Sequence, residues 1–153
     1  MQKLTPFLIS GLLVFGAVAC QDPARTSVDA PDTVTANPQA PTAQTTQASK
    51  EDAQSEVRRR QLDADIRARE QRNQATGGGT NRAPADLASE VRSKLEANIP
   101  GGQLTVNAVE NGTVTVAGTV NNQDQLSKIE PLAKEIKGVT AVVNKAVVAP
   151  PKS

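Results

Sequence analysis

The chain has 153 residues, with no His, Trp or Tyr, two Phe close to the N-terminus and one Cys, Cys20. A single Cys excludes an intrachain disulfide, and without His there is no donor set for a Zn, Cu or Fe site, so no metal and no cofactor is expected. Lys plus Arg number 17 against 16 Asp plus Glu, a balance that gives no reason to expect nucleic acid as a partner.

The first 19 residues read as a secretory signal: Lys3 is a short positive region, an apolar run follows from Pro6 to Val18, and small residues close it. The run falls short of the about 20 apolar residues that a membrane-spanning helix needs. Ala17-Val18-Ala19 fits an ordinary signal-peptidase site. Ala17-Val18-Ala19-Cys20 also resembles the lipobox of bacterial lipoproteins, in which cleavage between Ala19 and Cys20 leaves a Cys whose thiol is acylated. The lipidated reading accounts for the only Cys lying at the cleavage point, where a free thiol in an oxidising compartment has no evident use. It implies a lipid anchor on the periplasmic side of a bacterial membrane, with Gln21 favouring the outer membrane; a soluble periplasmic protein is the alternative.

Residues 20–49 are rich in Pro, Thr, Ala and Gln and too poor in apolar residues for a core, which predicts a disordered tether. Residues 50–75 change to good helix formers, with opposite charges four apart at Glu56/Arg60, Asp63/Arg67 and Asp65/Arg69. Val57, Leu62 and Ile66 make too thin a stripe for a coiled coil, so the stretch reads as a solvated helical spacer; a partner helix or a phosphate-binding Arg58-Arg59-Arg60 patch is the functional alternative. Residues 76–83 contain three consecutive Gly and read as a linker.

The compact part is predicted over residues 84–148, with 149–153 as a tail. Pro84 suits a first helical turn, and Leu87, Val91 and Leu95 put one apolar face on a helix that ends before Pro100-Gly101-Gly102. Leu104 to Gly118 reads as a hairpin, Leu104/Val106/Ala108 alternating against Val114/Val116/Gly118. A two-residue Asn111-Gly112 loop would split the apolar residues between two faces. A three-residue loop, Glu110-Asn111-Gly112, puts them all on one face and calls for a type I turn with a G1 bulge, Gly112 in the left-handed region. Asn111-Gly112-Thr113 also fits the N-glycosylation pattern, but the turn explains those residues better.

A second helix carries Leu126, Ile129, Leu132, Ala133 and Ile136. Pro131 is awkward there, and two starts compete: about Gln123 with a kink, or Ser127 through a capping box with Glu130. Gly138 is expected to close that helix as a left-handed cap. Val139 to Val148 supplies a third strand with Val142, Ala146 and Val148 inward. The order αββαβ predicts an α+β fold in which two helices cover one face of a three-stranded sheet. The opposite face, with Thr105, Asn107, Thr113, Thr115 and Thr119, is expected to meet water.

These residues resemble the BON domain of bacterial envelope proteins. The resemblance rests on Leu104-x-Val106, on Asn111-Gly112-x-Val114-x-Val116-x-Gly118-x-Val120, on Gly138-Val139-x-x-Val142-x-Asn144 and on a closing Val148. It implies the αββαβ fold and a non-enzymatic role in the envelope, often discussed as phospholipid binding, and it assigns no binding residues. Asn111, Gly112, Gly118 and Gly138 are structural positions in it. Partners are then the membrane, through the N-terminal lipid, and phospholipid or another envelope component. A scaffold that self-associates through residues 50–73 or a sheet edge is a second possibility, and the oligomeric state is open. Residues 84–153 hold seven Lys or Arg and seven Asp or Glu, so anionic lipid gains no net attraction, and Glu130 and Glu135 lie among Lys128, Lys134 and Lys137. As catalytic carboxylates Glu130 and Glu135 qualify by residue type alone, and no nucleophile motif accompanies them.

Overall fold

The computed structural model describes residues 23–77 and 82–152. The elements are β1 (Ala24–Arg25), α1 (Ala43–Gln54), α2 (Glu56–Ala75), α3 (Pro84–Asn98), β2 (Gln103–Ala108), β3 (Thr113–Val120), α4 (Gln123–Lys134) and β4 (Ala141–Val148). Cys20, Ala19 and the rest of the expected signal lie outside the described residues, as do residues 78–81 of the Gly-rich stretch.

The domain after Pro84 is built as αββαβ. The β2–β3 hairpin pairs Ala108 with Val114, Val106 with Val116 and Leu104 with Gly118, the register of the three-residue turn. β4 runs parallel to β3 and is reached through the α4 crossover. α3 and α4 both lie on the Leu104/Val106/Val116 face. There Val91, Leu95, Leu104, Val106, Val116 and Ile129 are each fully enclosed in one aliphatic cluster.

Four features differ from the expected arrangement. The sheet has four strands, not three, because β1 pairs antiparallel with β2 and occupies its outer edge. The 20–49 stretch is accordingly not a featureless tether: it supplies β1, a string of turns and the start of α1. The charged spacer helix is two helices. Ser55 is extended (φ −62°, ψ 142°), and its Oγ accepts from Arg58 N–H, so one residue ends α1 and caps α2.

The third difference is the far side of the sheet, which is half covered. Gln103, Thr105, Ala117 and Thr119 are buried there. Ser27 Oγ donates to Gln103 Oε1, Thr105 Oγ1 donates to the Pro31 carbonyl, and Gln103 Nε2 reaches Ser49 Oγ at 3.3 Å. Hydroxyls and amides on a strand can face water, but they serve equally well as partners for a polar covering segment, and alternation alone does not separate the two.

The fourth concerns the end of α4, which takes the first of its two competing starts, Gln123. Asn122 Oδ1 caps it by accepting from Gln125 N–H at 2.9 Å, whereas Ser127 Oγ donates to the Asp124 carbonyl within the helix. Pro131 is tolerated because it and Ser127 lie on the exposed side, where water can take the carbonyl that Pro131 leaves without a donor. Regular helix stops at Lys134, and Gly138 (φ 100°) lies beyond a further turn, not directly at the helix end. Val148, expected inward, is 37% exposed at the end of β4.

Candidate functional site

The hairpin tip and the α4–β4 loop meet. Asn111 Oδ1 accepts from Thr113 N–H at 2.9 Å, and the Asn111 carbonyl accepts from Thr140 Oγ1 at 2.8 Å. Gly112 has φ 79°, and its carbonyl accepts from Thr140 N–H at 2.9 Å. A Cβ on Gly112 would strike the Gly138 carbonyl. Asn111, Gly112 and Gly138 are therefore brought together as one rigid corner. Gly118 (φ 124°) stands apart in mid-β3, where a Cβ would strike the Gln103 carbonyl. All four positions set backbone geometry.

The first surface available to a ligand is the outer side of β4. Val143 (42% exposed) and Val147 (43%) project from it on either side of the exposed Lys145. Two short aliphatic chains flanking one cation suit the boundary between lipid headgroups and acyl chains, where apolar burial and a single charge act together. The free edge of β4 is partly closed: Asn144 Oδ1 accepts from Ala146 N–H at 3.0 Å.

The second is a groove between α2, α3 and β1, a cavity of about 370 Å³ lined by Ala24, Arg25, Arg58, Leu62, Ser89 and Arg92 among others. Three arginines suggest an anion receptor, but each already has an acid. Arg58 Nε lies 2.6 Å from Glu96, Arg92 lies 3.2 Å from Asp65 and 3.1 Å from Glu96, and Arg25 lies 2.7 Å from Asp32. The hydrogen bond to Glu96 raises the Arg58 pKa above its ordinary value, against the effect of burial. An anion entering this groove would have to displace carboxylates, so the groove works as a polar seam and not as a receptor.

One ion pair is wholly internal. Arg82 and Glu90 have side chains 1% and 0% exposed and join through two hydrogen bonds, and Arg82 Nη1 also donates to the Lys137 carbonyl at 2.8 Å. The pair ties the entry to α3 to the turn after α4. Burial pushes the Glu90 carboxyl above the usual range, and the Arg82 guanidinium opposes that shift only in part. Nothing in the local sequence signals the pair, since its eight-residue separation spans a loop and a helix start.

Glu130 and Glu135 are both about half exposed, with Glu130 2.6 Å from Lys134 Nζ and Glu135 2.6 Å from Lys94 Nζ. They do not face each other across a cleft, and among the described residues no group of His, Cys, Asp or Glu is placed to hold a metal ion. No helix among the described residues is long and apolar enough to cross a membrane.

A comparison with protein-family models matches residues 84–150 to the BON domain. Neither the curated proteins nor the solved structures yielded a match to the chain. The matched stretch opens on the first residue of α3, takes in the hairpin, the crossover and β4, and closes two residues beyond β4. The C-terminal part of the chain, residues 84–150, is a BON domain.

Proposed function

We propose that this chain is a lipoprotein of the bacterial envelope, anchored through acylated Cys20, whose BON domain binds phospholipid or another envelope component. The match of residues 84–150 to the BON domain carries the reading, because that family is associated with membrane and phospholipid interaction. The Ala17-Val18-Ala19-Cys20 sequence supports the anchor, and Gln21 favours the outer membrane. The role is binding and not catalysis, and the Val143/Lys145/Val147 strip is the surface best suited to a lipid boundary. The scaffold reading through residues 50–73 has less support, because α2 is already packed along α3 of its own chain.

Intact mass of the mature protein from a membrane fraction, before and after mild base, tests the anchor. A chain beginning at Cys20 with base-labile acyl groups is expected, and an unmodified chain sinks the lipoprotein reading. Flotation of the Cys20→Ser protein with phospholipid vesicles tests the domain. Binding is expected to change little when phosphatidylglycerol is added to neutral lipid, since the seven Lys or Arg of residues 84–153 are balanced by seven Asp or Glu. It is expected to fall when Val143 and Val147 are both replaced by Asp. Absence of flotation with either vesicle removes phospholipid as the ligand.

A further inference from the structure

We infer that residues 23–75 are a detachable arm, held on the BON domain by a salt-sensitive ionic seam, which alternates between docked and released states while the domain stays folded.

The seam is continuous. Asp86 on α3 takes both Arg72 (3.1 Å) and Arg69 (2.6 Å) of α2, and Arg69 is 4.0 Å from Asp65 of its own helix. Asp65 then reaches Arg92 on α3, Arg92 reaches Glu96, and Glu96 takes Arg58 back on α2. Charges thus alternate in sign as the seam crosses between the two helices. Several of these groups keep contact with water, Arg72 being 56% exposed and Asp65 41%, so dissolved salt can screen them.

Apolar contribution to docking is small. Leu62 is the one residue of α2 that is buried, and Thr46 and Ala53 are those of α1. Docking also leaves polar atoms enclosed without a hydrogen-bond partner in the protein: Thr46 Oγ1 and Arg69 Nε on the arm, Ser93 Oγ and Thr119 Oγ1 on the domain. Ser93 lies on the same α3 stripe as Asp86 and Glu96, and Thr119 on the half-covered sheet face. Each enclosed orphan works against docking, so the docked state is held by a narrow margin.

The domain does not need the arm. Its buried aliphatic cluster is drawn entirely from residues 87–136, with Ala24 the only arm residue packed against it. Release exposes mainly Gln103, Thr105, Thr119, Ser93 and Glu96, whose polar groups water can satisfy.

The consequence concerns reach, and this part rests on the lipid-anchor reading. Docked, Ala24 is fixed to the β2 edge, with Thr26 N–H donating to the Leu104 carbonyl at 2.8 Å and Leu104 N–H to Thr26 Oγ1 at 2.9 Å. Ala24 follows Cys20 by only four positions, at most about 14 Å of chain. The domain is then held beside its anchor. Released, the same residues become a spacer in which the 20 residues of α2 alone span about 30 Å.

Hydrogen–deuterium exchange on the exported chain carrying Cys20→Ser tests the seam independently of lipidation. It is read at about 0.01 M and about 1 M NaCl, where the Debye length falls from about 30 Å to about 3 Å. The expected result is that amides of β1 and α2 lose protection at least tenfold in high salt while those of β2 and β3 keep theirs. Arg69→Glu with Arg72→Glu should reproduce the release in low salt, and adding Asp86→Arg should restore docking. An arm unprotected at both salts, an arm indifferent to salt, or a domain that loses protection in step with the arm overturns the inference. If the seam behaves as expected and intact mass shows no acyl groups, the latch stands and only its role at the membrane is lost.

Discussion

The two halves of this molecule are held by different physics. The BON domain closes around Val91, Leu95, Leu104, Val106, Val116 and Ile129, none of them more than marginally exposed. The arm meets the rest of the chain through arginines, carboxylates and hydroxyls and through short backbone pairings of β1 with β2 and of Thr42 with Lys152, with Leu62 as its main apolar contact. Aliphatic burial is short-ranged and is not screened by salt, and it scales with area removed from water. Partly exposed ion pairs contribute little each and weaken as ionic strength rises. A chain built this way has one region that opens only by global unfolding and one that can open below that limit.

The sharpest way to break that contrast is to place a charge in the dry half. Val116→Asp buries a carboxylate among aliphatic side chains with no partner, a change large enough to unfold a domain this small. Loss of cooperative melting of residues 84–148 is expected by calorimetry. Unchanged melting would contradict the core.

That dry half was legible because its signals are periodic. Leu87, Val91 and Leu95 repeat every four residues, and only one turn length keeps Leu104, Val106, Val114 and Val116 on a single face, which is the register observed. The arm was not legible. Its docking depends on long side chains such as Arg58, Arg69 and Arg72, which in a sequence look like those of any solvated helix, and on acids 14 to 38 residues away. β1 is too short to show alternation, and the break between α1 and α2 turns on Ser55, a residue that is unremarkable within a polar run. The half-covered sheet face failed for a related reason: Thr105 and Thr119 are as suited to a polar lid as to water. The Val143/Lys145/Val147 strip needed the observed sheet order, since only then is β4 known to be an edge with an open outer face.

Next in size is the internal ion pair, two charges wholly enclosed in the dry half. Arg82→Ala leaves Glu90 enclosed without its counter-charge, and loss of one partner of a buried pair costs about 3–5 kcal/mol. The double change Arg82→Met with Glu90→Leu removes both charges and should recover much of that loss in urea unfolding. A double variant as unstable as the single would show that the pair holds the entry to α3 in place by geometry, through the Lys137 carbonyl, more than by charge.

Leu62→Ala sharpens the comparison from the other side. Truncating a buried Leu costs about 2–5 kcal/mol where it is enclosed by a rigid core, and the lower end applies at a seam that can relax. The cost should fall on the arm alone: faster proteolysis within residues 56–75, and an unchanged melting temperature for the BON domain. Equal destabilisation of both regions would mean that they form one cooperative unit.

The smallest expected effect is that of pH, and its sign differs between the halves. Burial tends to raise the Asp86 pKa, but hydrogen bonds and charge from Arg72 and Arg69 outweigh it and hold the carboxyl below its ordinary range. A carboxyl lowered by docking stabilises the docked state above its ordinary pKa of about 4, and that contribution is lost as pH falls through the docked value. Glu90 runs the other way. Burial raises its pKa in the folded domain, so its contribution is fully present below the ordinary glutamate value and fades as pH rises through the raised one. Acid below the ordinary aspartate range therefore weakens the arm's hold through Asp86, while protonation of Glu90, already complete there, eases the burden of a carboxylate inside the domain. Exchange measured from neutral pH to below the ordinary aspartate range should show α2 losing protection before β2 and β3, and Asp86→Asn should remove the part of the pH dependence that belongs to the arm. Loss of β2 and β3 protection first would reverse the assignment of which half carries which sign.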